Sequence, residues 1–315
     1  MKNLLIFTFS EDPHTSAITK YLSEDKYFVV NTNQIHDRYS ISFYSDNFKY
    51  KIIDRKDGKE LSLDENWNIW NRRILDLDLP PNIPKSLSEI INNETKRTIE
   101  SLMFSHTGKV INDPRNNYRA RSKLDQLIIG SNIGCVTIPN TLVSNNPNEI
   151  RRFYQEHQKI CFKLQKGTVF ELNGENQTVM TNIVKEEDLE SDEILMQGPH
   201  LFQEYCEKDY EIRVTTIGNK SIGVAIYSQD SAISKIDFRR YDFNVPYRHI
   251  ELPRNVEDFC FKMLEHYGLG YGCFDFIFKD GNYTFLELNP NGQWLWLEKL
   301  SGYELSKYFA SYLIQ

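Results

Sequence analysis

Three oxygen-bearing side chains near the C-terminus stand where charge is expensive. Asp275 interrupts the apolar run Cys273-Phe-Asp-Phe-Ile-Phe278. After the turn-forming residues Lys279-Asp-Gly-Asn282, the run Tyr283-Thr-Phe-Leu-Glu-Leu-Asn-Pro-Asn291 carries Glu287 and Asn289. A carboxylate inside an apolar strand needs compensating charge. Strand alternation puts Glu287 and Asn289 on one face. Whether Asp275 joins them depends on the turn. A strict two-residue Asp280-Gly281 loop sets Asp275 and Glu287 on opposite faces, whereas a three-residue loop or a bulge brings them together across the ladder. We expect one of the latter two, with Gly281 at positive φ. Two carboxylates and a carboxamide are hard oxygen donors that suit magnesium, an ion that also ligates substrate phosphates. The plainer alternative is a surface hairpin with chance acids.

Lys163, in Cys161-Phe-Lys-Leu164, is a cation inside a strand-like apolar stretch and therefore calls for an anion. Glu211 and Arg213 lie two apart and face the same way, so Arg213 can meet an anion on that face. A surface ion-pair ladder is the alternative for Glu204, Glu211 and Arg213. The seven histidines are dispersed and form no Ser/His/Asp or Cys/His constellation. The five cysteines are odd in number and scattered, which excludes a disulfide framework or paired-cysteine zinc site and leaves buried free thiols in a reducing cytoplasm. A net charge of −7 argues against general nucleic-acid binding. The N-terminal apolar run is too short for a signal sequence, and no run reaches membrane-spanning length.

The elements that must position these groups fall into three modules, an α/β domain over 1–112, a central α+β part over 113–197 and a strand-rich part over 198–315. Strands are expected at Leu4–Phe9, Tyr27–Asn31, Ile41–Tyr44 and Trp67–Ile69, with a helix over Ser16–Leu22. The turn Ser10-Glu11-Asp12-Pro13 lacks the glycines of a dinucleotide site. Asn112-Asp-Pro114 marks a boundary. A helix over Arg119–Asn132, a strand at Val136–Ile138, a helix over Glu149–Gln158 capped by Asn145-Asn-Pro-Asn148 and a strand at Ile160–Leu164 follow. The acidic run Glu186–Glu193 reads as a solvated helix face. The last third holds strands at Leu201–Tyr205, Glu211–Ile217, Ile222–Tyr227, Cys273–Phe278 and Tyr283–Leu288, and helices over Val256–Tyr267 and Glu304–Leu313.

Asp275 followed by Glu287-Leu-Asn289-Pro resembles the metal-binding strands of the ATP-grasp superfamily, and the segment upstream agrees. Leu201-Phe-Gln203-Glu204-Tyr205-Cys206, with Glu211 seven residues past Glu204, is similar to that superfamily's interdomain hinge. The resemblance implies that backbone groups there meet adenine, with Glu204 near its amino edge. Glu211 then accepts from the ribose hydroxyls, and Lys123 and Lys163, forty apart, contact the phosphates. A departure is the segment Lys166-Gly-Thr-Val-Phe170 with Asn173-Gly174, which supplies only sparse glycine for a phosphate loop.

Along nearly the whole chain the motifs are similar to the graspetide synthetases, macrocyclases of microviridin- and plesiocin-like peptides. These are Leu4-Leu-Ile-Phe-Thr-Phe-Ser10, Trp70-Asn-Arg-Arg73, Thr141-Leu-Val-Ser-Asn-Asn-Pro147, Lys185-Glu-Glu-Asp-Leu189, Ser228-Gln229, Asp237-Phe-Arg239 and Trp296-Leu-Glu298. The family implies a three-part ATP-grasp fold beginning with a pre-ATP-grasp domain. It also implies ATP and magnesium, a ribosomal precursor peptide with a leader and an acidic, Thr-rich core, a homodimer and a cytoplasmic location. Core Asp or Glu carboxylates become acyl phosphates, which Thr or Ser hydroxyls (esters) or Lys amines (amides) attack. Asp237 and Arg239 correspond to a motif linked to peptide recognition, and Asp237 is our candidate for the proton acceptor. Lys235, Arg239, Arg240 and Arg248 form a basic stretch suited to an acidic core. Trp70-Asn-Arg-Arg73 is equally a structural strand end and receives no role. Two rivals stay open: an ATP-grasp ligase joining small carboxylates to amines, and a nucleotide- and peptide-binding module without catalysis.

Overall fold

The structure, a computed structural model, describes every residue except 168, 173, 174, 241 and 243, and only the backbone of the strands Val169–Leu172 and Glu175–Thr178. The N-terminal domain is built on a parallel sheet of four strands, in the order Tyr27–Asn31, Asn3–Thr8, Trp67–Asn71, Val110–Ile111. Leu4, Leu5, Ile6 and Phe7 are all fully buried, as a central parallel strand covered on both faces requires. A side sheet of Tyr39–Tyr44, Lys49–Asp54 and Glu60–Ser62 is antiparallel. The helix Lys85–Ser105, which has no counterpart among the expectations, covers the sheet through Ile99, Leu102 and Met103.

The first helix is Pro13–Thr19, three residues earlier than expected, because Asp12 caps it and Pro13 occupies its first position. The expected helix over Arg119–Asn132 is two helices, Pro114–Ala120 and Lys123–Ile133. Ser122 caps the second and interrupts the first. Lys123 thereby opens a helix. The expected strand at Val136–Ile138 is a single bridge between Thr137 and Thr284, and the acidic run forms short helical turns, Glu186–Leu189 and Asp192–Leu195. All five cysteines are free, as expected, but Cys135 is exposed. No helix among the described residues is long and apolar enough to cross a membrane.

The central sheet is antiparallel, in the order Asn182–Ile183, Ile160–Lys163, His200–Glu204, Thr141–Ser144. The C-terminal sheet has the order Tyr247–Ile250, Lys220–Ile226, Tyr210–Ile217, Tyr271–Lys279, Asn282–Asn289, again antiparallel. Its Ile212, Val214, Phe274, Phe276, Phe285 and Leu288 pack on Val256, Phe259, Met263 and Leu264 of the helix Arg254–Tyr267. The opposite face changes character along its length. At one end Ile217, Tyr271 and Cys273 lie under Trp294, Leu297 and Phe309, in a core shared with Leu4, Ile6 and Trp70 of the N-terminal sheet. At the other end Glu211, Arg213, Asp275 and Glu287 face a cavity.

Two buried polar groups join the N-terminal domain to the last sheet. Asn112 donates through Nδ2 to the carbonyls of Tyr271 and Pro290, both at 2.8 Å, and accepts from the Gly270 and Tyr271 amides. Arg72, 2% exposed, pairs through Nε with Asp12 Oδ2 at 3.0 Å, donates to the Asn291 carbonyl and lies over the Trp294 ring. Burial raises the Asp12 pKa, but the His14 hydrogen bonds and Arg72 outweigh it and hold the carboxyl down to about 2. Its unfolded value is about 3.9. The stabilisation is therefore complete above that value and is lost as pH falls through the folded one. Arg72→Met should cost about 3–5 kcal/mol by leaving the buried Asp12 charge with only the Thr8 and His14 hydrogen bonds, read as a lower urea midpoint at neutral pH. In Asp12→Asn the loss of stability between pH about 4 and 2 should flatten.

Candidate functional site

One cavity of about 1320 Å³ receives all thirteen residues singled out from the sequence for binding, catalysis or metal. The hairpin supplies its floor. The turn is a two-residue one, Lys279 pairing with Asn282 across Asp280 (φ 47°) and Gly281 (φ 83°). Three pairs further along, the register shifts: Phe276 faces Phe285 while Asp275 faces Glu287, so Leu286 is the extra residue of a bulge. Of the two routes expected to bring the carboxylates together, the protein uses the bulge. Asn289 Nδ2 donates to Asp275 Oδ2 at 3.1 Å and Glu287 Oε1 at 3.3 Å. A half-turn of that amide presents Oδ1 to the same point.

Cations hold these acids in place. Arg213, opposite Asp275 in the ladder, donates through Nη1 to both of its oxygens at 2.7–2.8 Å. Burial, with Glu287 adding to it, pushes the Asp275 carboxyl up to about 6 against the pull of Arg213. Glu287 pairs with Lys123, and Arg239 Nη1 stands 3.7 Å away. Burial works against its charge, but Lys123 and Arg239 hold this carboxyl well below the usual range. Gln126, one turn past Lys123, is buried and clamps the backbone of Leu288 through both amide atoms. It fixes the helix of Lys123 to the strand of Glu287. Gly292 permits the closeness, since a Cβ there would meet Cys273 at 2.4 Å and Arg213 Nη2 at 2.8 Å.

At the opposite wall, Lys163 donates to Gln203 Oε1 at 2.5 Å, and Gln203 is held by Thr141 Oγ1 at 2.9 Å. Among the described residues no carboxylate pairs with Lys163. Burial, with the like charges of Lys123 and Arg239, lowers its pKa. Glu204 is turned to its neighbours, accepting from the Asn140 amide at 3.0 Å and Asn140 Nδ2 at 2.9 Å. Tyr205 and Cys206 continue the lining at the strand end. Burial pushes the Tyr205 phenol up to about 12 and the Cys206 thiol up to about 11, so both stay neutral. Glu211 pairs through Oε1 with the buried Lys208, a residue sequence reading passed over, while its Oε2 is buried with no partner among the described residues. Burial raises its pKa, against Lys208.

Asp237 and Arg239 face the cavity because Phe238 between them is buried against Ile226, Val245 and Trp296. Arg239 grips Asp237 through Nε and Nη2, and the carboxyl is held down to about 2 against burial. Arg240 instead donates to Thr181 and Asn182, and Arg248 lies over the Tyr227 ring. Of the basic stretch expected to meet an acidic core, Arg239 alone is among the residues lining the cavity. Lys166 and Gly167 of the glycine-poor segment line it too, while Thr168, Asn173 and Gly174 lie outside the described residues.

These residues fit a nucleoside triphosphate with a divalent ion. Glu211 Oε2 is an acceptor awaiting hydroxyls, Lys163 a cation awaiting an anion, and the trio 275, 287 and 289 a set of hard donors.

The comparisons agree. Residues 3–119 match the MvdD pre-ATP grasp domain. A RiPP-associated ATP-grasp ligase of Chryseobacterium gregarium, solved with ADP and a leader and core peptide, is 28% identical. The match covers 99% of this chain and 96% of that one at a TM-score of 0.89. Over its full length this chain is similar to ATP-grasp ligases and shares their fold. The macrocyclase MdnC of Microcystis aeruginosa, bound with its precursor peptide MdnA, is also 28% identical, with 99% of each chain covered and a TM-score of 0.88. Its counterpart MdnB from the same organism is 25% identical over 99% of each chain, at 0.79. No curated protein sequence matches this ligase. Lys163→Met should weaken binding of magnesium-ADP about tenfold or more, the range of a charge-assisted contact. Its unfolding midpoint without nucleotide should stay within about 1 kcal/mol, because no carboxylate is orphaned; calorimetric titration and urea unfolding measure the two.

Proposed function

We propose that this ligase is an ATP- and magnesium-dependent macrocyclase of a ribosomal precursor peptide, acting in the cytoplasm. The single observation that carries the reading is the cavity in which Asp275, Glu287 and Asn289 converge beside Lys123, Lys163 and Arg239. Its support in kind is full-length similarity to ligases solved with leader, core or precursor peptides. Carboxylates are poor acyl donors because oxide does not leave at neutral pH. Transfer of a phosphoryl group makes phosphate the leaving group, and such a transfer needs positioning and charge neutralisation rather than a protein nucleophile.

In this reading the hinge strand at Gln203–Cys206 lines the adenine end, with Gln203 orienting Lys163, and Glu211 receives the ribose hydroxyls. Lys123 and Lys163 neutralise phosphate oxygens, and Arg213, fixed by Asp275, faces the transferring group. Asp275, Glu287 and Asn289 would hold magnesium, which when bound supplies positive charge to the phosphate tail. Arg239 leaves Glu287 for the peptide or the phosphates. A carboxylate oxygen of the peptide takes the γ-phosphoryl group and ADP leaves; a hydroxyl or amine then attacks the acyl carbon, phosphate leaves, and the peptide is lighter by one water. Asp237, gripped by Arg239 and held at about 2, is a weak base, so we assign it the positioning of Arg239 rather than the proton. A homodimer belongs to the same reading, and light scattering reporting a single chain's mass would remove it.

Mass spectrometry of precursor, ATP and enzyme should show loss of one water mass per ring. Glu287→Gln should abolish that loss, by about a thousandfold in rate as for other charge-stabilising groups, and leave leader affinity unchanged. Equal loss of both would make Glu287 structural. A precursor that never loses water, with ADP released on small carboxylate and amine pairs instead, would favour a small-molecule ligase.

A further inference from the structure

Among the residues lining the cavity, Arg73 alone comes from the N-terminal domain, and it belongs to none of the groups assigned above. Its backbone is fixed at the end of the strand Trp67–Asn71, where its amide and that of Arg72 both donate to the Phe7 carbonyl, at 3.2 and 3.1 Å. Lys163 apart, the other buried cations around the cavity are neutralised: Arg72 by Asp12, Arg213 by Asp275, Lys123 by Glu287, Lys208 by Glu211. The Arg73 guanidinium makes no hydrogen bond or ion pair among the described residues, and neither does that of Arg121, which lines the same cavity. The acid that acts on it among the described residues, Asp12, is already taken by Arg72, Thr8 and His14. Burial, then the like charges of Arg72 and Arg121, lowers the Arg73 pKa. A half-buried guanidinium beside another cation, with its own acid spent, is a place made for an incoming anion.

The nucleotide is not the natural occupant. Every group that fits adenine, ribose, phosphates or metal lies between residues 123 and 289, whereas the charged neighbours of Arg73 are Arg72, Asp12, Arg121 and the Tyr271 phenol. Arg73 shares the cavity lining with residues 290–293 of the loop after Asn289, and its neighbour Arg72 holds the Asn291 carbonyl. We infer that Arg73, assisted by Arg121, is the subsite that receives a side-chain carboxylate of the peptide substrate, gripping it through the planar fork of the guanidinium. The inference rests on the ligase reading above. It makes the N-terminal domain a part of the substrate site as well as a scaffold.

The test uses the full chain loaded with magnesium-ADP and two synthetic probes, a peptide of alternating Thr and Glu and its Thr/Gln counterpart. Calorimetry should show the wild type binding the Glu peptide about tenfold or more tightly than the Gln peptide, the range of one charge-assisted pair. Arg73→Gln should erase that preference while its magnesium-ADP affinity stays at the wild-type value, and Arg73→Lys should keep a part of it. Arg121→Gln should reduce it less. A wild type without the preference, or Arg73→Gln retaining it, overturns the inference. Loss of nucleotide affinity in Arg73→Gln, with Arg73→Lys restoring it, also overturns it by assigning Arg73 to the phosphates. Failure of the ligase reading looks different, since the wild type would then bind no magnesium-ADP.

Discussion

Asp275 and Glu287 face each other across adjacent strands in a wall with little access to water, and like charges so placed repel. The protein holds them there with one extra residue and a set of cations. Leu286 shifts the register so that both carboxylates point the same way. Arg213, Lys123 and Arg239 then supply the opposite charge, each from a different part of the chain. Without a bulge the two-residue turn would send Glu287 to the far face, among Phe285 and Leu288, and the trio would not exist. Without the cations, burying the pair would raise both carboxyls and discharge them.

The same economy governs the surroundings. The strand Asn282–Asn289 is an edge of its sheet, and its outer backbone groups are met by Thr137 and the Gln126 amide. That contact carries the helix of Lys123 to the carboxylates. Behind the hairpin, Asn112 gives its side-chain amide hydrogens and Arg72 its Nη1 to the loop and strand of the last sheet, and a common core of Trp70, Trp294, Tyr271 and Phe309 fills the space between. The pre-ATP-grasp domain is thereby packed as part of one body with the C-terminal sheet, which gives Arg73 a rigid base at the rim of the cavity.

Much of this was legible locally. Alternation announced the hairpin, and the cap segment at Asn146-Pro147 opened a helix. The parity of the turn required an irregularity somewhere in the ladder. What escaped had no local period. The helix Lys85–Ser105 buries only three residues, all in its last turns, while Leu87 and Ile90 are exposed, so its first half shows no apolar stripe. Ser122 looks like an ordinary helix residue until its cap is seen. Asn112 and Gln126 are amides whose partners lie some 160 residues away, and nothing in their neighbours betrays that.

By itself the sequence determined the kinds of groups present and which of them share a strand face, because alternation along one strand is a property of covalent geometry. Glu287 with Asn289, and Glu211 with Arg213, needed nothing more. Only the tertiary structure decided who neutralises whom. Arg213 is spent on Asp275 and Arg239 on Asp237, whereas among the described residues Lys163 meets only an amide, Glu211 keeps one free oxygen and Arg73 has no acid. Charge pairing of buried groups is set by packing across distant segments, and it is the charges left over after that pairing that define what the cavity binds.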